Sequence, residues 1–221
     1  MKKFIYLIVS LLNAGITALC LYLSPYAILP IHYGINGYAD RYSSKWEIMI
    51  AAAIPVVFGI IYLVYSIIAE KKGIKNRKVT DKVFLIAFVY ILSVIWYVMI
   101  ICLQCKSHMS NSYFAILAVI MGGMFLALSN FMPKARQNTM FGIRTKSTLS
   151  NTTVWNKTHR LAGILGVIGS IALIICGIIG TVFEKTVVPV FFIGIGIYLI
   201  SGFIIPCIYA NVIANKERNN G

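Results

Sequence analysis

Apolar residues run along this chain in long blocks, without the amphipathic stripe of a helix that has one wet face. Six blocks stand out, at roughly 4–23, 48–69, 83–103, 112–132, 161–183 and 187–210. Each supplies the ~20 apolar residues needed to cross a hydrocarbon core. None contains an internal Asp, Glu, Lys or Arg. With no water to satisfy backbone groups, such blocks must be helices. The expected fold is an all-α integral membrane protein, a six-helix transmembrane bundle. The polar stretches between blocks divide into two long loops, 24–47 and 133–160, and shorter connections at 70–82 and 184–186. The first loop carries Pro30, which holds its predecessor extended, and Gly34, Asn36 and Gly37, which favour tight turns. It either lies outside or dips back into the membrane at its apolar end. In the second, Pro133 ends a helix and Gly142 permits a turn. Ser150 or Asn151 can cap a new short interfacial helix, with Trp155 at headgroup level.

Composition agrees with the pattern. Hydrophobic residues make up 59% and charged residues 12% of the chain, where soluble domains are about a quarter charged. The net charge of +14 comes from an uneven distribution of basic residues. One side of the membrane receives Lys2, Lys3, Lys71, Lys72, Lys75, Arg77, Lys78, Lys82, Lys134, Arg136, Arg144, Lys146, Lys157, Arg160, Lys216 and Arg218. The other receives Arg41, Lys45, Lys106 and Lys185. The positive-inside rule then places both termini and loop 133–160 in the cytoplasm, with loop 24–47 outside. The charge is read as topology and attraction to the anionic lipid bilayer. No nucleic-acid-binding motif accompanies it, and no direct nucleic-acid contact is expected. The first apolar run is too long for a signal peptide and lacks a cleavage site, so it is expected to be a retained helix.

The loop lengths suggest three units. Residues 1–70 form a two-helix unit with the outer loop. Residues 71–111 hold the third helix and its flanks, and residues 112–221 form a three-helix unit with the inner loop. Long loops on opposite faces, each opening on an apolar-Pro pair, suit an inverted three-plus-three repeat. Small residues at Gly122, Gly123, Gly163, Gly166, Gly169, Ser170, Gly194 and Gly196 favour close helix packing. Pro55 and Pro206 predict kinks or breaks, and Asn13 predicts an interhelical hydrogen bond.

Candidate chemistry gathers in the two long loops. Outside, His32, Asp40, Arg41 and Lys45 follow the turn. A His32–Asp40 pair suits ligand recognition, or an imidazole oriented by a carboxylate. The bland alternative is a folded cap in which Asp40 satisfies backbone or pairs with Arg41 or Lys45. Inside, Arg144 offers a fixed charge suited to carboxylate or phosphate. Trp155 and His159, four residues apart, share a helical face. Five cysteines give no disulfide framework. Cys102-x-x-Cys105 is a lone pair, read first as two small residues at a helix end and second as a redox pair or half a metal site. No metal site, cofactor or catalytic set is expected, and Ser-His-Asp, paired-carboxylate and HExxH arrangements are absent from the sequence.

Within the inner loop the run Asn138-x-x-x-Gly142-Ile143-Arg144-Thr145, then Thr148-Leu149-Ser150, then Trp155-x-Lys157-Thr158-His159-Arg160-x-x-Gly163 resembles the signature of the SdpI family of bacterial immunity membrane proteins. Pro30-x-His32, Gly37 and Asp40, closing on Lys45, resemble the small domain of unknown function that often precedes it. Two positions depart from the family pattern. Ser147 stands where Trp is frequent, and Thr152 and Thr153 stand where an acidic residue is common. The resemblance implies a multi-pass protein of the bacterial cytoplasmic membrane that protects its cell against a secreted peptide toxin. It also implies signalling by holding a cytoplasmic repressor protein at the membrane. On this reading Pro30, His32, Gly37, Asp40 and Lys45 would meet toxin or ligand. Asn138, Gly142, Arg144, Thr145, Trp155, Thr158 and His159 would form the partner-binding or structural signature. A transporter of a small or amphipathic solute is the alternative. A membrane-embedded enzyme is disfavoured, because His32 with Asp40 and Arg144 with His159 lie on opposite sides of the bilayer.

Overall fold

The computed structural model describes residues 2–34, 36–73, 77–110, 112–138, 141–182 and 187–219. Lys75, Lys185 and the connection 184–186, used above, lie outside the described residues. The helices are α1 (Ile5–Leu23), α2 (Ile48–Lys72), α3 (Arg77–Leu103), α4 (Ser112–Phe131), α5 (Lys146–Ser150), α6 (Thr152–Val182), α7 (Val187–Leu199) and α8 (Ile205–Asn219). A π-helical turn, Ile200–Ile204, joins α7 to α8. Among the described residues six segments are long and apolar enough to cross a membrane, α7 and α8 together supplying the last. The chain is thus an all-α, multi-pass membrane protein, and the apolar blocks locate its spans.

The chain gathers into two compact units. One comprises Met1–Lys75 with Ala87–Ser110, the other Asn76–Ile86 with Asn111–Gly221, so α3 contributes to both.

In the first unit α1 buries Tyr6, Ser10, Asn13, Thr17 and Leu21, a stripe at helical spacing. Gly59 lets α2 approach closely, since a Cβ there would lie 2.9 Å from Leu7 Cα. Ser10 Oγ stands 2.6 Å from Tyr6 O and 2.7 Å from Pro55 O, so one hydroxyl serves carbonyls of both helices. Trp96 Nε1 on α3 donates to Asn13 Oδ1 at 2.7 Å, the interhelical bond expected of Asn13. Helix α2 continues through Pro55 rather than ending there.

The long loop 24–47 is not irregular. It forms an antiparallel hairpin, β1 (Ile28–Tyr33) and β2 (Ala39–Ser44). Leu29 and Pro30 are buried. Leu29 joins Leu21, Ile48, Met99 and Cys102 in an apolar cluster that seats the hairpin on the ends of α1, α2 and α3.

The second unit is organised on α6. A Cβ on Gly163 would lie 2.6 Å from Pro133 Cγ, and one on Gly202 would lie 3.3 Å from Gly166 Cα. Added side chains at Gly122, Gly169, Gly177 and Gly194 would likewise meet Ile174, Ser201, Ala118 and Leu173. Such close approach replaces the hydrophobic drive that lipid cannot supply. Gly123 and Gly196 face open space, so they do not serve the packing expected of them. The break expected at Pro206 appears as the π turn just ahead of it. A proline lacks the amide for the regular helical bond, and a π turn absorbs that interruption.

Candidate functional site

The inner loop is built on the first two turns of α6. Asn151, rather than Ser150, caps that helix, its Oδ1 accepting from Thr153 and Val154 N–H at 2.8 and 3.2 Å. The cap starts the helix nine residues before the apolar block, so Trp155, Thr158 and His159 share its buried face. Trp155 is fully buried, so protein rather than lipid surrounds its indole. Its indole N–H donates to Ala135 O at 2.7 Å, and its ring stacks on His159 with centroids 3.9 Å apart. Ala135 and Ile143 thus lie against the aromatic pair.

His159 is also buried. Its Nε2 accepts from Ile143 N–H at 3.0 Å, and its Nδ1 lies 2.8 Å from Trp155 O. An amide can meet only an unprotonated ring nitrogen, and a carbonyl only a protonated one. Both contacts are satisfied by neutral imidazole carrying its proton on Nδ1. Gly142, at φ +113°, delivers Ile143 to this contact. A Cβ at Gly142 would land on His159 Nε2.

Thr145 and Thr148 bracket α5. Thr148 N–H donates to Thr145 Oγ1 at 3.2 Å, and Thr145 N–H to Thr148 Oγ1 at 2.9 Å, a reciprocal capping box. Thr148 Oγ1 in turn donates to Ile143 O at 2.8 Å. Gln137 Nε2 donates to the carbonyls of Thr148 and Leu149 at 2.8 and 2.7 Å. Asn138 closes the turn ahead of Gly142, donating to Arg136 O and accepting from Phe141 N–H at 2.8 Å each. Thr148 stands in the signature run but not among the expected site residues, and Gln137 is in neither. The Thr145-x-x-Thr148 spacing, a variant of the capping-box pattern, was the available signal. Thr158 is fully buried and its hydroxyl has no hydrogen-bond partner among the described residues.

The buried residues fix a display. Lys134, Arg136, Arg144, Lys146, Lys157 and Arg160 are all exposed around this scaffold. Ser147 Oγ donates to Asn211 Oδ1 at 2.9 Å and Lys157 pairs with Glu217 at 2.8 Å, tying the loop to α8. A polar cavity of about 300 Å³ lies beside these ties, lined by Ser147, Ser150, Asn151, Val154, Ala214, Glu217 and Arg218.

The hairpin forms a second, separate constellation. Gly34, Asn36 and Gly37 make its turn as expected, with Gly37 at φ +78°. His32 Nδ1 and Asp40 Oδ1 lie 2.6 Å apart across the strands, both more than half exposed. Solvent screening limits such a pair to ~0–1 kcal/mol. Asp40 thus pairs with His32, and Arg41 turns to Glu47 at 3.3 Å. Lys45 Nζ donates to Ser24 O at 2.9 Å, just beyond the end of α1. Pro30 faces inward beside Leu29, so of the five outer candidates His32 and Asp40 are the ones presented to solvent. The segment after α3 joins the sheet. Ala39 N–H donates to Ser107 O at 2.9 Å, Met109 N–H to Gly37 O at 2.8 Å, and Tyr33 Oη to Lys106 O at 2.9 Å. Tyr38 packs edge-on against His108. Among the described residues no group of three metal-ligating side chains converges.

Comparison with known proteins bears on both constellations. Residues 134–210 match the SdpI/YfhL protein family. The chain is 31% identical over 184 residues to Immunity protein SdpI of Bacillus subtilis (strain 168), a match covering 81% of this chain and 80% of that protein. No solved structure matches.

Proposed function

The chain belongs to the SdpI/YfhL protein family, and from that premise we propose that it is a membrane immunity protein, protecting the cell that makes it against a secreted peptide toxin. The similarity to an immunity protein along four fifths of both chains carries this reading. The family is not one of enzymes, and the proposal assigns no catalytic step to His32, Asp40, Arg144 or His159.

The basic residues support an orientation with both termini, α5 and the start of α6 in the cytoplasm and the hairpin outside. The hairpin then offers toxin a rigid outer surface on which His32 and Asp40 are exposed. The inner loop offers a cytoplasmic partner, a repressor protein held at the membrane, its exposed basic residues on a buried Trp155–His159 base. Arg144 suits an acidic partner group through its planar fork of donors.

The test is survival of toxin-sensitive cells expressing the chain and challenged with secreted membrane-active peptides, at matched membrane levels of wild type, Asp40→Ala and Arg144→Ala. Wild-type protection that falls in both variants is expected. Failure of a fully inserted wild type to protect against any peptide would sink the proposal.

A further inference from the structure

Cys102 and Cys105 are absorbed by none of the roles above. Cys102 is buried in the cluster under the hairpin and Cys105 packs against the same cluster. Cys105 N–H donates to Cys102 O at 3.0 Å. A turn closed by that bond holds its end Cα atoms within about 7 Å, and a disulfide spans about 4.4–6.8 Å. Both side chains therefore project toward one cluster from a backbone spacing that a disulfide can bridge.

Cys105 is also where the backbone departs most from ordinary preference. Among the described residues it is the one non-glycine residue with positive φ, at +50°. Just past a helix end that conformation normally falls to glycine or asparagine. The Cys105 thiol lies 3.9 Å from Ile28 O, at the start of β1. The next residues, Lys106 to Met109, hold the hairpin through the bonds to Tyr33, Gly37 and Ala39.

We infer that Cys102 and Cys105 are a redox-active dithiol, a modification site at which a disulfide-bearing oxidant closes an intrachain bridge beneath the hairpin. Cys105 is half-buried and Cys102 buried, which sets the order of events. The Cys105 thiolate attacks the oxidant's disulfide, forming a mixed disulfide and releasing one thiol. Cys102, losing its proton, displaces the second thiol and completes the Cys102–Cys105 bond. Two protein thiols are oxidised and one oxidant disulfide is reduced to two thiols. Closure withdraws the Cys105 S–H from Ile28 O and fixes the turn from which the hairpin-holding segment departs. The inference rests on the orientation proposed above, because the outer side of a membrane is the oxidising one.

The experiment uses wild-type chain in intact cells, treated with oxidised glutathione, a linear and membrane-impermeant disulfide, or with a membrane-impermeant reductant. Free thiols are blocked with light maleimide; the rest are reduced and labelled with heavy maleimide. Loss of the light label from both Cys102 and Cys105 after oxidant is expected, with its return after reductant. Unreduced, the single peptide carrying both should be lighter by two hydrogens, a species absent from Cys102→Ser. Light label on both cysteines after oxidant, in a chain whose unfolding temperature is unchanged, overturns the inference. The readout is thiol chemistry and not survival, so it stands or falls apart from the immunity reading.

Discussion

Gly142 has less freedom to change than any other residue of the inner loop. Its φ of +113° suits glycine, and an added Cβ would occupy the place of His159 Nε2. Gly142→Ala is expected to cost ~2–4 kcal/mol, combining backbone strain with overpacking. Thermal unfolding in detergent measures it, and a stability within experimental error of wild type would reject the account. The shared helical face of Trp155 and His159 was legible from their spacing alone. Their burial was not, because the preference of Trp for the headgroup region describes an indole bordered by lipid. Here the border includes Ala135 and Ile143, which Gly142, Thr148 and Gln137 help to hold over α6. Asn138, Gly142 and Thr145 stood out in the sequence as a motif, and the structure gives them local positions as turn, pivot and cap.

Among the elements, α6 shows which small residues matter. Gly163 lies against the rigid ring of Pro133, whereas Gly123 faces open space. Gly163→Val should destabilise the protein by ~1–3 kcal/mol through overpacking. Gly123→Val should stay within ~0.5 kcal/mol, as surface changes do. Equal effects in the same unfolding assay would show that the packing map is wrong. A glycine list cannot separate the two cases, because helical phase relative to a neighbour is a tertiary property. The six long helices were readable because each apolar block exceeds the bilayer requirement without interruption. The hairpin was not. Ile28 to Tyr33 buries Leu29 and Pro30 side by side rather than alternately, and Ala39 to Ser44 presents almost no apolar face. Period-two alternation, the usual sign of a strand, is missing from both. Their pairing depends on the apolar cluster below and on Ser107 and Met109, more than sixty residues away.

For the whole molecule, the basic bias makes a sharp topological statement. In a chain freed of its own cysteines, His32→Cys should react with a membrane-impermeant maleimide in intact cells. Arg144→Cys should react only after the membrane is opened. Labelling of Arg144→Cys from outside would reverse the orientation and with it the division of labour between hairpin and inner loop. That division, unlike the spans, rests on sequence resemblance and loop charge together. The π turn Ile200–Ile204 adds a different constraint. A π turn carries one residue more than the α-helical turn it replaces, and each residue of an α-helix rotates the following face by about 100°. Everything beyond it in α8 is therefore clocked by that extra residue, including Asn211 and Glu217, which meet Ser147 and Lys157. Besides disturbing Ser201 and Gly202, which pack against α6, deleting a residue there would swing both partners off the inner loop. The reading frame of the last helix is in this sense part of the surface that the inner loop presents.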